Sequence, residues 1–271
     1  MLNPDDQPAG RSILAYDREL VPWLFEHWAE PFVGLAAPDR SSSILDLACG
    51  SGLVVRHLIG RLGPLGQVQG ADIDAEMLRY AASTVTDPRI SWHESDASSL
   101  TFGDDSFDVV TCHQGLQFFP DPHAAMAEVR RVLRPNGKLA VAVWGRADAN
   151  PWPAALADAV RSLLGDAAGD SMLAVCRLGD ADDLAPILDQ AGLDDVVLRH
   201  RQRTASHPDI TRAIAGQLDA MPSGSTVGDL DADQKDELAA TMRKLLADHT
   251  STTGELTLPS TCLLGTATKP S

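Results

Sequence analysis

The sequence predicts an α/β fold built on a largely parallel sheet, and three observations predict it. Short apolar runs alternate with helical patterns between residues 44 and 144, as strand–crossover–strand units with right-handed connections do. The run Ile44-Leu45-Asp46-Leu47-Ala48-Cys49-Gly50-Ser51-Gly52 reads as a buried strand passing straight into a glycine turn and a helix. A second strand ends in an acid, Asp72, 20 residues beyond Gly52.

The elements follow in order. Residues 1–11 are polar and contain proline, which predicts a mobile N-terminus and not a secretory signal. Ile13, Tyr16, Leu20, Trp23, Leu24 and Trp28 fall at helical spacing within Ser12 to Phe32. Pro22 is expected to end one helix or begin the next, because it has no backbone donor. The aromatics Trp23, Phe25, Trp28 and Phe32 are expected mainly to pack on the core, with pocket lining as the alternative. Past a loop over residues 34–43 come the first strand, the glycine turn and a helix from Leu53 to about Leu62. Gln67 to Asp72 is a second strand, and Asp74 can cap a helix from Ala75 to Thr84. Ile90 to Glu94 is a third strand leading into Ser95-Asp96-Ala97, and Phe107 to His113 a fourth, apolar enough for burial on both faces. Asp121-Pro122 supplies the N-cap and first residue of a helix to about Leu133. Pro135-Asn136-Gly137 is a turn, and Lys138 to Trp144 a fifth strand.

Beyond Gly145 the order changes. Pro153 to Leu164 is helical, Gly165 to Leu178 irregular, Asp180 to Ala191 helical, and Leu193 to Arg203 a strand. Two helices, Ile210 to Met221 and Asp231 to His249, precede a last strand, Leu256 to Thr268. Residues 146–178 and 208–254 read as insertions around the sheet and as candidates for a substrate cover.

At 271 residues the chain is long enough for one large domain. The expected organisation is a single domain over 1–271, with a helical lid at 1–40, a cofactor-binding core at 41–145, and covering insertions with the last strands at 146–271. The net charge of −16, from 22 basic and 38 acidic residues, repels phosphate backbones, so nucleic acid is not an expected partner. No run of 18 apolar residues occurs, which predicts no membrane span and a cytoplasmic protein. The oligomeric state stays open. Cys49, Cys112, Cys176 and Cys262 are scattered without a C-x-x-C pair, which favours neither a disulfide framework nor a metal site. Cys49 and Cys112 read as small space-fillers.

Ligands of open parallel sheets bind at the carboxyl ends of the strands. Those ends carry Asp46 to Gly52, Asp72, Asp96 and Cys112 to Gln117. Asp46 can face a cationic or donating ligand group, Gly50 and Gly52 admit close approach, and Asp72 suits the two hydroxyls of a ribose. His113 is the candidate general base if the nucleophile must lose a proton; a hydrogen bond to backbone is the alternative role. Val55 stands where a G-x-G-x-x-G dinucleotide turn has its third glycine, which counts against an NAD-dependent oxidoreductase.

The nonapeptide Ile44 to Gly52, Ala71-Asp72-Ile73-Asp74, Ser95-Asp96-Ala97, Phe107-Asp108-Val109-Val110 and Leu133-Arg134-Pro135-Asn136-Gly137-Lys138-Leu139 together resemble class I S-adenosylmethionine-dependent methyltransferases of the small-molecule and quinone-biosynthesis group. The resemblance covers residues 40–145 well and the rest by topology. It implies a Rossmann-like sheet of seven strands in the order 3-2-1-4-5-7-6, with helices on both faces and a helical cap. It implies S-adenosyl-L-methionine as cofactor and methyl transfer to an O, N or C nucleophile of a small-molecule partner. By resemblance, Asp46, Ala48, Gly50 and Gly52 hold the methionine part, Asp72 binds the ribose, and Ile73 and Met77 pack on the adenine. Asp96 hydrogen-bonds the adenine amino group with Ala97 contributing backbone, Cys112, His113 and Gln117 lie beside the methionine and the methyl, and Tyr16 closes over the methionine carboxylate. Ala48 departs from the pattern, which has glycine there. Cys112-His113-Gln114-Gly115 replaces the Asn/Asp-Pro-Pro-Tyr/Phe of adenine-N6 methylating enzymes, so that substrate is not expected. The alternative on the same fold is a protein that binds the cofactor without transferring a methyl.

Overall fold

The computed structural model describes residues 8–222 and 224–271, with side chains from residue 12 onward. The expected mobile N-terminus therefore lies in part outside the described residues, and its last residues open a helix, α1 (Pro8–Ala15). Seven strands form one sheet: β1 (Ser43–Leu47), β2 (Gln67–Asp72), β3 (Ile90–Glu94), β4 (Phe107–His113), β5 (Leu133–Trp144), β6 (Asp194–His207) and β7 (Leu256–Thr268). Their order is β3-β2-β1-β4-β5-β7-β6. β1 pairs in parallel with both β2 and β4, β2 with β3, and β4 with β5, whereas β7 runs antiparallel to β5. This is the expected order. The chain winds outward one way through β2 and β3 and the other way from β4, so the switch point lies between β1 and β4.

The chain divides into two compact units. The first is Trp28–Gly145, Arg177–Arg201 and Cys262–Ser271; the second is the chain up to His27, Arg146–Cys176 and Gln202–Thr261. In the first, the inward residues of the sheet pack under α5 (Pro122–Val132) and α8 (Ala181–Gln190): Leu45, Leu47, Val110, Met126, Val129, Leu139, Leu184 and Leu188 are buried together. Each such side chain contributes about 1.5–3 kcal/mol by leaving water. The helices start where the sequence supplies a cap. Asp121 accepts from the N–H of Ala124 at 2.9 Å, with Pro122 in the first turn of α5. Asp74 accepts from the N–H groups of Glu76 and Met77 and opens α4 (Ala75–Thr84).

The second unit has its own core, in which Leu20, Trp23 and Leu24 meet Trp152, Leu156 and Val160 of α6 (Pro151–Leu164), Ile214 of α9 (Ile210–Asp219) and Met242 of α10 (Ala232–Leu245). Trp23 and Trp152 stack edge to face at 4.7 Å, and the Trp152 indole donates to Gln217 at 2.8 Å. Among the described residues, no helix is long and apolar enough to cross a membrane.

Three local expectations are corrected. Pro22 ends no helix: it lies inside a π-helical segment, Tyr16–Phe25, between α1 and α2 (Glu26–Ala36). The Glu26 N–H donates to the Val21 carbonyl, five residues back, and this wider turn accommodates a residue with no N–H to give. The stretch read as irregular contains α7 (Asp166–Met172) and a 3-10 turn, Leu173–Cys176. Gly169 allows α7 its place, since a β-carbon there would lie 2.6 Å from the Arg161 Cβ. Finally, β5 begins at Leu133 and not at Lys138, and residues 134–137 interrupt its pairing with β4. Leu133 pairs with Phe107, the register then shifts, and pairing resumes at Lys138 and Val109. Asn136, within this interruption, is left-handed (φ 62°).

Candidate functional site

The site is built at the carboxyl ends of β1, β2, β3 and β4, all within the first unit. The turn after β1 has three left-handed residues, Ala48 (φ 55°), Gly50 (φ 52°) and Gly52 (φ 84°). A β-carbon on Gly50 would meet nothing within 4 Å, so this glycine leaves open space over the turn. Gly52 is different: a β-carbon there would press on Trp92 at 3.0 Å and Val85 at 3.2 Å. Gly70 lies under the same indole, at 2.6 Å by the same measure. Trp92 thus dictates two glycines, a role that its sequence position gave no sign of.

Asp72 ties the second strand to the turn. Its Oδ2 accepts the Gly50 N–H at 2.8 Å and its Oδ1 the Asp74 N–H at 3.0 Å. Burial raises its pKa, and these backbone donors oppose the rise. Ile73, next along, is 70% exposed, an apolar side chain left open beside a polar turn. Met77 is half-buried one helical turn further on. Asp96 is exposed and accepts from the backbone N–H and hydroxyl of Ser98, both at 2.8 Å, which hold its carboxyl below the usual range. Ala97 is partly buried against the core. The Ser95 N–H donates to the Asp72 carbonyl at 2.9 Å and links the two strand ends.

Asp46 is the most perturbed acid of this end of the sheet. It is 1% exposed. Thr111 donates to its Oδ1 at 2.7 Å, and its Oδ2 is buried with no partner among the described residues. Burial pushes its pKa up to about 7, the Thr111 hydroxyl pulls it down, and the charge of Asp72 adds to the rise. A buried acceptor that the fold leaves bare matches a ligand that brings a cationic donor.

The end of β4 sorts its residues sharply. Cys112 is wholly buried in the core, and burial pushes its thiol up to about 12, so it offers neither a surface nor a nucleophile. His113 is half-buried, its ring 5.0 Å from that of Phe32. Gln117 is 1% exposed; its amide donates to the carbonyl and side-chain oxygens of Gln114 at 3.0 and 3.1 Å. These two acceptors fix the orientation of the amide, and its Oε1 is buried without a partner among the described residues. Gln114, itself left-handed at φ 58°, donates to the sulfur of Cys262 at 3.1 Å. Tyr16 belongs to the other unit, where its ring lies 5.4 Å from Phe25.

The fold thus brings together Asp46, the turn, Asp72 and the ends of β3 and β4. Sequence reasoning missed Thr111 and Trp92, and placed Gln114 only within the span Cys112 to Gln117 at the strand ends. Thr111 carried a signal, as the one hydroxyl in the inner run Val109-Val110-Thr111-Cys112 of the fourth strand.

Residues 45–141 match the family model described as "Methyltransferase domain". Over 134 residues the chain is 37% identical to a 2-phytyl-1,4-naphtoquinone methyltransferase of Trichormus variabilis, covering 46% of this chain and 58% of that protein. Over 118 residues it is 33% identical to a demethylmenaquinone methyltransferase of Lactobacillus johnsonii, covering 42% and 48%. The matched stretch spans about half the length of these curated relatives. Among solved structures, a Haemonchus contortus phosphoethanolamine N-methyltransferase 2 in complex with S-adenosyl-L-methionine matches with a TM-score of 0.64 and 17% identity, covering 98% of this chain and 58% of that one. The [4+2]-cyclase SpnF matches with a TM-score of 0.58 and 19% identity, covering 90% and 81%.

Proposed function

We propose that this chain, a class I S-adenosylmethionine-dependent methyltransferase in fold and in the sequence of its core, moves a methyl group from S-adenosyl-L-methionine to a nucleophile of a small, partly apolar metabolite in the cytoplasm. The observation that carries this reading is the left-handed turn at the switch point with an acid at the end of each of the first three strands. The bare oxygen of Asp46 suits the α-ammonium of the methionine part, the open space over Gly50 suits its close approach, and the exposed Ile73 suits an adenine face. Asp72 suits the ribose hydroxyls through the acceptor capacity left on oxygens that each already hold one backbone donor.

The cofactor supplies the electrophile, a methyl group on a sulfonium sulfur. The chain's own work is to hold the acceptor in line with the methyl–sulfur bond and keep water out. Quinone-type aromatic acceptors come first for test, because relatives of the core are named for them. The deciding assay mixes methyl-labelled cofactor with quinols, phenols and amines. Label in an acceptor, with S-adenosylhomocysteine formed in equal amount, supports transfer. Cofactor binding without any S-adenosylhomocysteine across the panel sinks it in favour of a binding or non-methylating role, and the fold alone does not exclude that.

A further inference from the structure

Asp46 and Thr111 stand opposite one another on β1 and β4, at paired positions on either side of the switch point. Both are buried, Thr111 wholly and Asp46 to 1% exposure. The Thr111 hydroxyl reaches the Leu45 carbonyl only at 3.4 Å, whereas it donates to Asp46 Oδ1 at 2.7 Å. The carboxyl is thereby gripped at one oxygen while the other, Oδ2, is left bare. A fold that buries one acceptor and leaves it bare carries a cost that a ligand can remove.

We propose that Thr111 is a positioning residue for the cofactor: its hydroxyl fixes the Asp46 carboxyl so that Oδ2 is presented to the α-ammonium of the amino-acid part. This rests on the reading of S-adenosylmethionine as the cofactor. The hydroxyl does two things at once. It holds the side-chain rotamer, because leaving it would break a short hydrogen bond inside the core. It also favours the charged carboxylate against burial. The titratable groups that bear on Asp46 are Asp72 on β2, Cys49 in the turn and Cys112 on β4. Burial keeps both thiols protonated and Asp72 repels the charge, so Thr111 is the group that supports it. Without it the carboxyl is neutral at neutral pH and offers the ammonium no counter-charge.

The test is calorimetry on the whole chain with two ligands, S-adenosylhomocysteine and 5′-methylthioadenosine, which shares the adenosine part but lacks the amino acid. Thr111→Val is expected to weaken S-adenosylhomocysteine about 10–100-fold, as loss of a hydrogen bond to a charged group does. Methylthioadenosine should change less than about twofold, since it brings no ammonium. Thr111→Ser should restore the loss. Between about pH 6 and about pH 8, the rise of S-adenosylhomocysteine affinity should shift to higher pH in the valine variant. Unchanged S-adenosylhomocysteine binding in Thr111→Val, equal loss of both ligands, or no restoration by serine overturns the proposal. Wild-type protein that binds neither ligand overturns the cofactor reading, and this proposal with it.

Discussion

Ala48 and Gly115 are coupled by contact. Ala48 is left-handed, a conformation that costs an L-residue roughly 1–2 kcal/mol and that glycine adopts freely. A β-carbon on Gly115 would lie 2.5 Å from the Ala48 Cβ, closer than two carbons can pack. Gly115 must therefore stay small because Ala48 carries a methyl. Gly115→Ala should destabilise by about 1–3 kcal/mol in urea unfolding, as overpacking does. Adding Ala48→Gly should recover part of that loss, and strict additivity of the two changes would refute the contact. His113 carries the catalytic prediction. If it is the base, His113→Ala lowers turnover about 10²–10⁴-fold with S-adenosylhomocysteine affinity kept. If in-line positioning supplies the rate, the loss stays under about tenfold, which assigns the ring to packing on Phe32.

At the scale of the element, α4 is the clearest case of a local signal with a measurable weight. Asp74 accepts two first-turn N–H groups, at 2.8 and 3.2 Å, and its own N–H holds Asp72. Asp74→Ala should cost about 1 kcal/mol in urea unfolding, whereas Asp74→Asn should be close to neutral because the amide oxygen caps as well. The same logic governs α10, where Asp231 and Gln234 close a reciprocal capping box. The π-helical segment obeys a different rule. Its widened turn lets Pro22 stay within the helical run, while Leu20, Val21, Trp23 and Leu24 are all buried.

For the molecule as a whole, the buried Asp46 and the half-buried His27 set opposite pH slopes. Asp46 has its pKa raised from 3.8 to about 7, so the folded state holds a proton that the unfolded chain releases between those values. Stability therefore falls as pH rises from about 4 to about 7. His27 is shifted the other way, chiefly by burial, from 6.5 to about 4. Its folded form stays neutral where the unfolded form protonates, so stability falls as pH drops through that window. Asp46→Asn should remove the first slope: its stability relative to wild type should rise by a few kcal/mol from pH 4 to pH 8 in urea titrations. A flat difference across that range would mean that burial leaves the Asp46 pKa where it lies in the unfolded chain. The same variant should lose S-adenosylhomocysteine affinity, because the site holds a charge that the fold alone disfavours.

Local preferences along the chain set the frame. Period-two and apolar runs gave β2, β3, β4 and β7 their bounds, Asp74 and Asp121 gave α4 and α5 their starts, the alternation of elements gave a parallel sheet, and the resemblance of residues 40–145 to class I methyltransferases implied its strand order. These are local or pairwise effects, in which a residue's preference acts on its own neighbours along the chain. The glycines of the turn were legible for the same reason, since glycine adopts the left-handed conformation without cost. Tertiary structure decided the rest. Only the pairing of β1 with β4 sets Thr111 against Asp46, and only Trp92 folding over the turn forbids side chains at Gly52 and Gly70. Cys112, adjacent in sequence to His113, falls into the core because successive strand residues face opposite sides of the sheet. The interrupted pairing of β5 and the helix at Asp166–Met172 depend on partners far along the chain, and so does the charge state of Asp46. Long-range packing chooses those partners, and no window of neighbouring residues contains them.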